Sequence, residues 1–89
     1  MLKINTTNSF EKDYISCFKR NLDLNLLSEV IKLLEQNGTL PNNYKPHKLK
    51  GKWAKHWECH IKPDWLLIWY FNSKTEITFV RTGSHSDLF

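Results

Sequence analysis

Trp57-Glu58-Cys59-His60-Ile61-Lys62-Pro63-Asp64-Trp65-Leu66-Leu67-Ile68-Trp69-Tyr70-Phe71 is the stretch on which the fold of this chain turns. Its first six residues alternate. Trp57, Cys59 and Ile61 go to one face, and Glu58, His60 and Lys62 to the other, as in a half-buried strand. Pro63 and Asp64 supply a tight turn. The seven residues that follow are apolar and rich in aromatics, which suits a central strand covered on both faces. Strand, tight turn and second strand together read as an antiparallel hairpin.

Beyond that hairpin, residues 72–75 read as a further hairpin loop and residues 76–82 as another strand, with Gly83 at its end. Upstream, residues 47–50 read as a short strand ending at Gly51, and residues 40–44 as a loop marked by Pro41, Asn42 and Asn43. Before the loop, Leu27, Val30, Ile31 and Leu34 recur at i, i+3, i+4 and i+7, which predicts a helix. Asp23 is placed to cap its start and Gly38 to stop it in a left-handed conformation. Phe10, Tyr14, Cys17 and Phe18 fall on one face of an earlier helix. There Asn8 is expected as the N-cap, with Glu11 completing a reciprocal box. Residues 2–5 read as a short first strand. The prediction is one α+β domain over residues 1–89. A two-helix hairpin covers one face of a mainly antiparallel sheet of four to five strands, the other face is partly open, and a short C-terminal tail follows.

Eighty-nine residues leave room for one domain and exclude a multidomain enzyme or a long repeat array. A chain of this size buries only about 60–65% of its unfolded surface, so its core is thin. A hydrophobic content of 40% is enough for such a core and argues against disorder. No apolar run reaches the ~18–20 residues of a membrane span. Residues 1–5 hold no apolar signal core, and Cys17 and Cys59 make neither a disulfide scaffold nor a CxxC knuckle, so a reduced cytoplasm is expected.

The 13 basic and nine acidic side chains leave a net charge of +4, unevenly spread. Lys45, Lys48, Lys50, Lys52, Lys55 and Lys62 crowd residues 45–62, where Glu58 is the only acid. His47, His56 and His60 lie in the same stretch, with Trp53 and Trp57 between the lysines. A lysine run alone reads as a solvated face. Mixed with aromatics and imidazoles it points to a polyanion.

Histidine suits proton transfer near neutrality. His60 lies on the polar face of its strand, four residues before Asp64. His85 lies just past a strand end. His56, in the loop before the strand, takes no role in this reading. His56 and His60 have a spacing that chelates zinc on a helix, but on a strand four residues span about 13 Å, so no metal site is expected. Neither cysteine has an activating partner. A metal-free set of His, Asp and Arg beside a basic surface fits cleavage of RNA, which carries its own nucleophile in the 2′-OH. The reaction needs a base for that proton, an acid for the 5′-oxygen and cations for the phosphorane charge, and no cofactor.

Glu58-Cys59-His60-Ile61-Lys62-Pro63-Asp64-Trp65-Leu66-Leu67-Ile68 and Arg81-Thr82-Gly83-Ser84-His85-Ser86-Asp87-Leu88-Phe89 resemble the YafQ family of bacterial toxins, in the RelE/ParE superfamily. His47-Lys48-Leu49-Lys50-Gly51 resembles a third block of that family. The resemblance implies a RelE-like fold and the toxin of a type II toxin–antitoxin system, a ribosome-dependent endonuclease cutting messenger RNA in the ribosomal A site. The implied partners are the 70S ribosome, the message and a cognate DinJ-like antitoxin, with no membrane and with DNA reached only through the antitoxin. Carried over position by position, the implied site residues are His47, His60, Asp64, Trp65, His85 and Phe89. His85 is read as the general acid, on a mobile tail that follows the leaving group. The base is His60 or Asp64, and that choice stays open. His47 orients or stabilises the phosphate. Trp65 and Phe89 stack on or wedge against a base, although Trp65 also reads as core and Phe89 as a plug for the C-terminus. Arg81 matches the family pattern. Its parity with Ile77 and Phe79 turns it inward, but a twist at the strand end would bring it to phosphate, and that reading is preferred to an ion pair. Lys48, Lys50, Lys52, Lys55 and Lys62 grip RNA without reading its sequence. The alternative on the same fold is a non-catalytic ParE-like inhibitor of gyrase.

Overall fold

The computed structural model describes all residues, 1–89. Its order is β1 (Lys3–Thr6), α1 (Asn8–Lys19), α2 (Leu24–Asn37), β2 (His47–Lys48), β3 (Trp57–Lys62), β4 (Trp65–Ser73), β5 (Glu76–Gly83) and α3 (His85–Leu88). The sheet runs β1-β5-β4-β3-β2, with β1 parallel to β5 and every other pair antiparallel. This is the expected α+β arrangement, with five strands. No helix is long and apolar enough to cross a membrane.

β4 is central because nothing in its first five residues tolerates water. Trp65 through Trp69 are all buried. On one face Leu67 and Trp69 join Cys59, Ile77 and Phe79 beneath Leu27, Val30 and Leu34 of α2 and Phe10 and Cys17 of α1. On the other face Leu66 and Ile68 pack with Leu88, flanked by Leu49, Trp53 and Val80. The face expected to be partly open is therefore roofed at its centre by the 49–53 segment and by α3.

Asp23 caps α2 by accepting from the Asn25 N–H, and Gly38 ends it at φ 71°. At α1 the cap is Thr7, one residue before the expected Asn8. Thr7 Oγ1 accepts from the Phe10 N–H at 3.0 Å and donates to the Val80 carbonyl at 2.8 Å. The Thr7 N–H also donates to the Phe79 carbonyl, so the chain is still tied to β5 when the helix begins. A box between Asn8 and Glu11 does not form. Nor is the whole expected face of α1 buried. Phe10 and Cys17 are, while Tyr14 is 39% and Phe18 66% exposed. α1 leans on β5 beyond the end of β1, and only the ridge through Phe10, Asp13 and Cys17 faces the protein.

The register is broken where it matters for the site. Phe79 pairs with Trp69 but Arg81 with Ile68, so Val80 is an extra residue and parity counted from Ile77 fails at Arg81. β4 runs on into the expected loop as far as Ser73, while β5 begins at Glu76 as expected. The C-terminal tail is a capped helical turn. The Ser84 N–H donates to Asp87 Oδ2 and the Asp87 N–H to Ser84 Oγ. Gly83 admits this close return, since a Cβ there would sit 2.9 Å from Asp87 Oδ2.

Candidate active site

The ionisable residues of the roofed face gather along one end of the sheet. β2 places His47 directly opposite Glu58 of β3, and His60 follows two residues on with the same orientation. The turn after β3 presents Asp64, and β5 delivers His85 as the first residue of α3. The imidazoles form a row, with ring centroids 6.2 Å apart for His47 and His60 and 5.8 Å for His60 and His85.

Each ring is oriented by an acceptor. His47 Nδ1 lies 2.8 Å from the Lys45 carbonyl, and its Nε2 lies 3.2 Å from Glu58 Oε1. A carbonyl and a carboxylate thus face its two nitrogens and fix the ring. His60 Nδ1 faces the Pro63 carbonyl at 3.3 Å, which leaves Nε2 on the Glu58 side at 4.0 Å. His85 donates twice to Asp64 Oδ1, from its backbone N–H at 2.9 Å and from Nδ1 at 2.7 Å. These two bonds, the backbone one first, hold the Asp64 carboxyl below its ordinary range. Asp64 is thereby an ionised acceptor that fixes the His85 tautomer, with Nε2 left free. Glu58 is 5% exposed, and a carboxylate that deep requires partners, which the two imidazoles supply.

His85 is held from behind as well. The Arg20 guanidinium forks onto Asp87 at 2.7 and 3.1 Å, and with the Ser84 N–H it keeps the Asp87 carboxyl well below the usual carboxylate range. Leu88 is buried beneath the same turn. The expected mobile tail is thus tethered, and His85 stands in a set position.

Two residues expected at RNA are turned elsewhere. Trp65 is 4% exposed, with Nε1 donating to Thr82 Oγ1 at 3.0 Å, so no ring face is left for a base. Arg81 donates from Nε and Nη2 to the Asp13 carboxylate at 2.6 and 3.2 Å, and the Thr82 N–H donates to the same group at 3.1 Å. Arg81 is thus held by Asp13 of α1, and the ion pair holds where phosphate contact was preferred. Phe89 is 59% exposed beside Trp53. Lys48, Lys50, Lys52, Lys55 and Lys62 are all exposed, with the Lys48 ammonium 5.6 Å from the centre of the Trp57 ring. The Cys59 thiol, pushed up to about 12 by burial and then by Glu58, is no nucleophile.

A sequence model described as the bacterial toxin of type II toxin–antitoxin systems, YafQ, matches residues 2–89. The chain belongs to the YafQ family. It is 38% identical over 87 residues to the mRNA interferase toxin YafQ of Escherichia coli K12, covering 97% of this chain and 94% of that one. Among solved structures it resembles the E. coli DinJ–YafQ complex, with a TM-score of 0.91 at 36% identity over 100% of this chain and 99% of that one. A metal-bound toxin from Helicobacter pylori is similar too, with a TM-score of 0.90 at 41% identity over the whole of both chains. In this YafQ-family chain no group of three or more His, Cys, Asp or Glu side chains is gathered in a way that would hold a metal ion.

Three further residues of this YafQ-type site escape the sequence reading. Glu58 carried a signal, as the only acid in the basic stretch and with the strand parity of His60. Asp13 carried none, because its partners are distant in sequence, and Asp87 carried only the spacing of a cap with Ser84, its Arg20 partner being distant.

Proposed function

We propose that this chain is the toxin of a type II toxin–antitoxin system and cleaves messenger RNA in the ribosomal A site. His60 takes the 2′-OH proton through Nε2. The 2′-oxygen attacks the adjacent phosphorus, the bond from phosphorus to the 5′-oxygen breaks, and protonated His85 gives that oxygen a proton through Nε2. The products are a 2′,3′-cyclic phosphate and a 5′-hydroxyl. Asp64 serves as the orienting partner of His85, since a carboxylate held at low pKa is a weak base. His47, fixed by Glu58, orients or stabilises the phosphate. The exposed lysines hold ribosomal or messenger RNA through phosphate. The observation that carries this reading is the row of three oriented imidazoles ending in the His85–Asp64 pair.

A DinJ-like antitoxin is the partner that holds the toxin in check, and contact with operator DNA runs through it. The setting is cytoplasmic. Primer extension on programmed ribosomes, with chelator present, tests the reading. Wild type should cut ribosome-bound message and leave free RNA intact, and His85→Ala should cut neither. No cleavage by folded, antitoxin-free wild type would turn the reading to a ParE-like gyrase inhibitor.

A further inference from the structure

A helix of four residues does not hold itself. Starting a helix fixes several backbone angles for a single hydrogen bond, so α3 stays folded only where its surroundings grip it. The grip in front, between His85 and Asp64, lies in solvent, with the two side chains 55% and 68% exposed. Leu88 anchors the turn from below, at its far end. The chain enters α3 through Gly83, a joint with no side chain to stiffen it. Behind this joint lies a small polar cavity of about 150 Å³, whose walls include Asp13, Ser16, Arg20, Arg81, Gly83 and Asp87. Asp13 and Arg20 are seven residues apart and share one face of α1 and its C-cap. Asp13 holds Arg81 and Thr82, on the strand side of the joint. Arg20 holds Asp87, on the helix side. α1 therefore lies across the joint as a splint.

The splint is itself fixed. Phe10 and Cys17 key α1 into the core, and the Arg20 N–H donates to the Ser16 carbonyl, so the guanidinium reaches out from a set point. A fork of two bonds fixes direction as well as distance. The turn it holds moves as one piece. Asp87 accepts from the Ser84 N–H, and the Leu88 and Phe89 N–H groups donate to the Ser84 and His85 carbonyls. We infer that Arg20 is a positioning residue for the reaction, holding Asp87 against α1 so that α3 presents the His85 ring at its place beside His60. The inference rests on the ribonuclease reading above, in which His85 protonates the leaving oxygen. A reacting group misplaced by about 1 Å costs a rate on the order of 100-fold, whereas an exposed ion pair adds little to folding. The two effects therefore separate in experiment. Arg20 is half-exposed, and direct contact with RNA phosphate is the rival role.

Single-turnover cleavage on programmed ribosomes compares wild type with Arg20→Ala, Arg20→Lys and Asp13→Ala, each well below its melting temperature. Arg20→Ala should melt within a few degrees of wild type and bind ribosomes with unchanged affinity and salt dependence. Its rate at saturation should fall about 10- to 100-fold. Arg20→Lys keeps the charge but not the fork and should recover part of that rate. Asp13→Ala should melt far lower and still cut at close to the wild-type rate. Equal rate losses in Asp13→Ala and Arg20→Ala would mean general loosening and would overturn the inference. So would a saturated rate for Arg20→Ala within about twofold of wild type. Weaker ribosome binding with a shallower salt dependence, at an unchanged saturated rate, would make Arg20 an RNA contact instead. A measurement without ribosomes separates this from failure of the ribonuclease reading. By NMR relaxation, the backbone order parameter of His85 should drop from about 0.85 in wild type toward about 0.6 in Arg20→Ala. An unchanged value would sink the inference whatever the cleavage assay gave. A loosened His85 in Arg20→Ala beside an inactive wild type would uphold the placement and sink only the ribonuclease reading.

Discussion

Asp13→Ala should cost this domain a large share of its stability without touching the imidazole row. The Asp13 carboxylate accepts from Arg81 Nε at 2.6 Å, from Arg81 Nη2 at 3.2 Å and from the Thr82 N–H at 3.1 Å. The side chains of Arg81 and Asp13 are 29% and 15% exposed. Hydrogen bonds to charged groups contribute roughly 1.5–3 kcal/mol, but Arg81 can recover part of its share from water. The Thr82 N–H recovers little, because Thr82 is 1% exposed, and an orphaned buried donor costs roughly 1–3 kcal/mol. The sum is about 3 kcal/mol, against a total of about 5–15 kcal/mol for a small domain. At about 4–8 °C per kcal/mol, the melting temperature should fall by about 12–24 °C. Thermal and urea unfolding followed by circular dichroism measure this directly. Asp13→Asn keeps an acceptor for Thr82 and should recover about half of the loss. A double-mutant cycle with Arg81→Gln should return a coupling of about 1–2 kcal/mol. A melting point within a few degrees of wild type for Asp13→Ala would refute the reasoning. So would an Arg81→Gln variant of unchanged stability whose ribosome binding lost salt dependence, which would return this arginine to phosphate.

Asp64→Asn should lower single-turnover cleavage by about 100-fold or more, through loss of the ionised partner of His85, while leaving ribosome affinity close to wild type. Asp64 and Asp87 both have carboxyl groups held low in the folded state, so they bind protons less readily there than in the unfolded chain. Their support for α3 should be complete above the ordinary carboxylate pKa of about 4 and disappear as pH falls through the lowered folded values. Acid titration of the Leu88 methyl resonances would show this loosening, and Arg20→Ala should move it to higher pH. Leu67→Ala, at a fully buried position of β4, should cost about 2–5 kcal/mol in urea unfolding, because the sheet and α2 close only partly over the void.

Much of the fold was legible because it is written in local pattern. The 3.6-residue spacing of Leu27, Val30 and Leu34, the stop at Gly38, the alternation of residues 57–62 and the apolar run after Pro63 are each read within one element. They correspond to α2, β3 and β4 as observed. The same reasoning failed where an element answers to something outside itself. Tyr14 and Phe18 share a helical face with Cys17, yet α1 overhangs the sheet edge and leaves them exposed. Asn8 has the chemistry of a cap, but Thr7 holds the position because β5 already binds it. Arg81 shares the parity of Phe79 only until the bulge at Val80 intervenes.

The candidate site divides in the same way. His47, His60, Asp64 and His85 could be named from the chain because proton transfer demands particular side chains, and these stand in strings that resemble a known family. Their grouping into a row, the burial of Glu58 between two of them and the pairing of Asp64 with His85 depend on four segments meeting at one end of the sheet. Tertiary structure also decided which aromatics meet solvent. Trp65 and Phe89 look alike as candidates, but the indole is sealed against Thr82 and the phenyl ring stands at a cleft. Residue type determines what a group can do. Which partner it meets is set by bulges, edges and packing between segments far apart in the chain, and local periodicity carries no information about those.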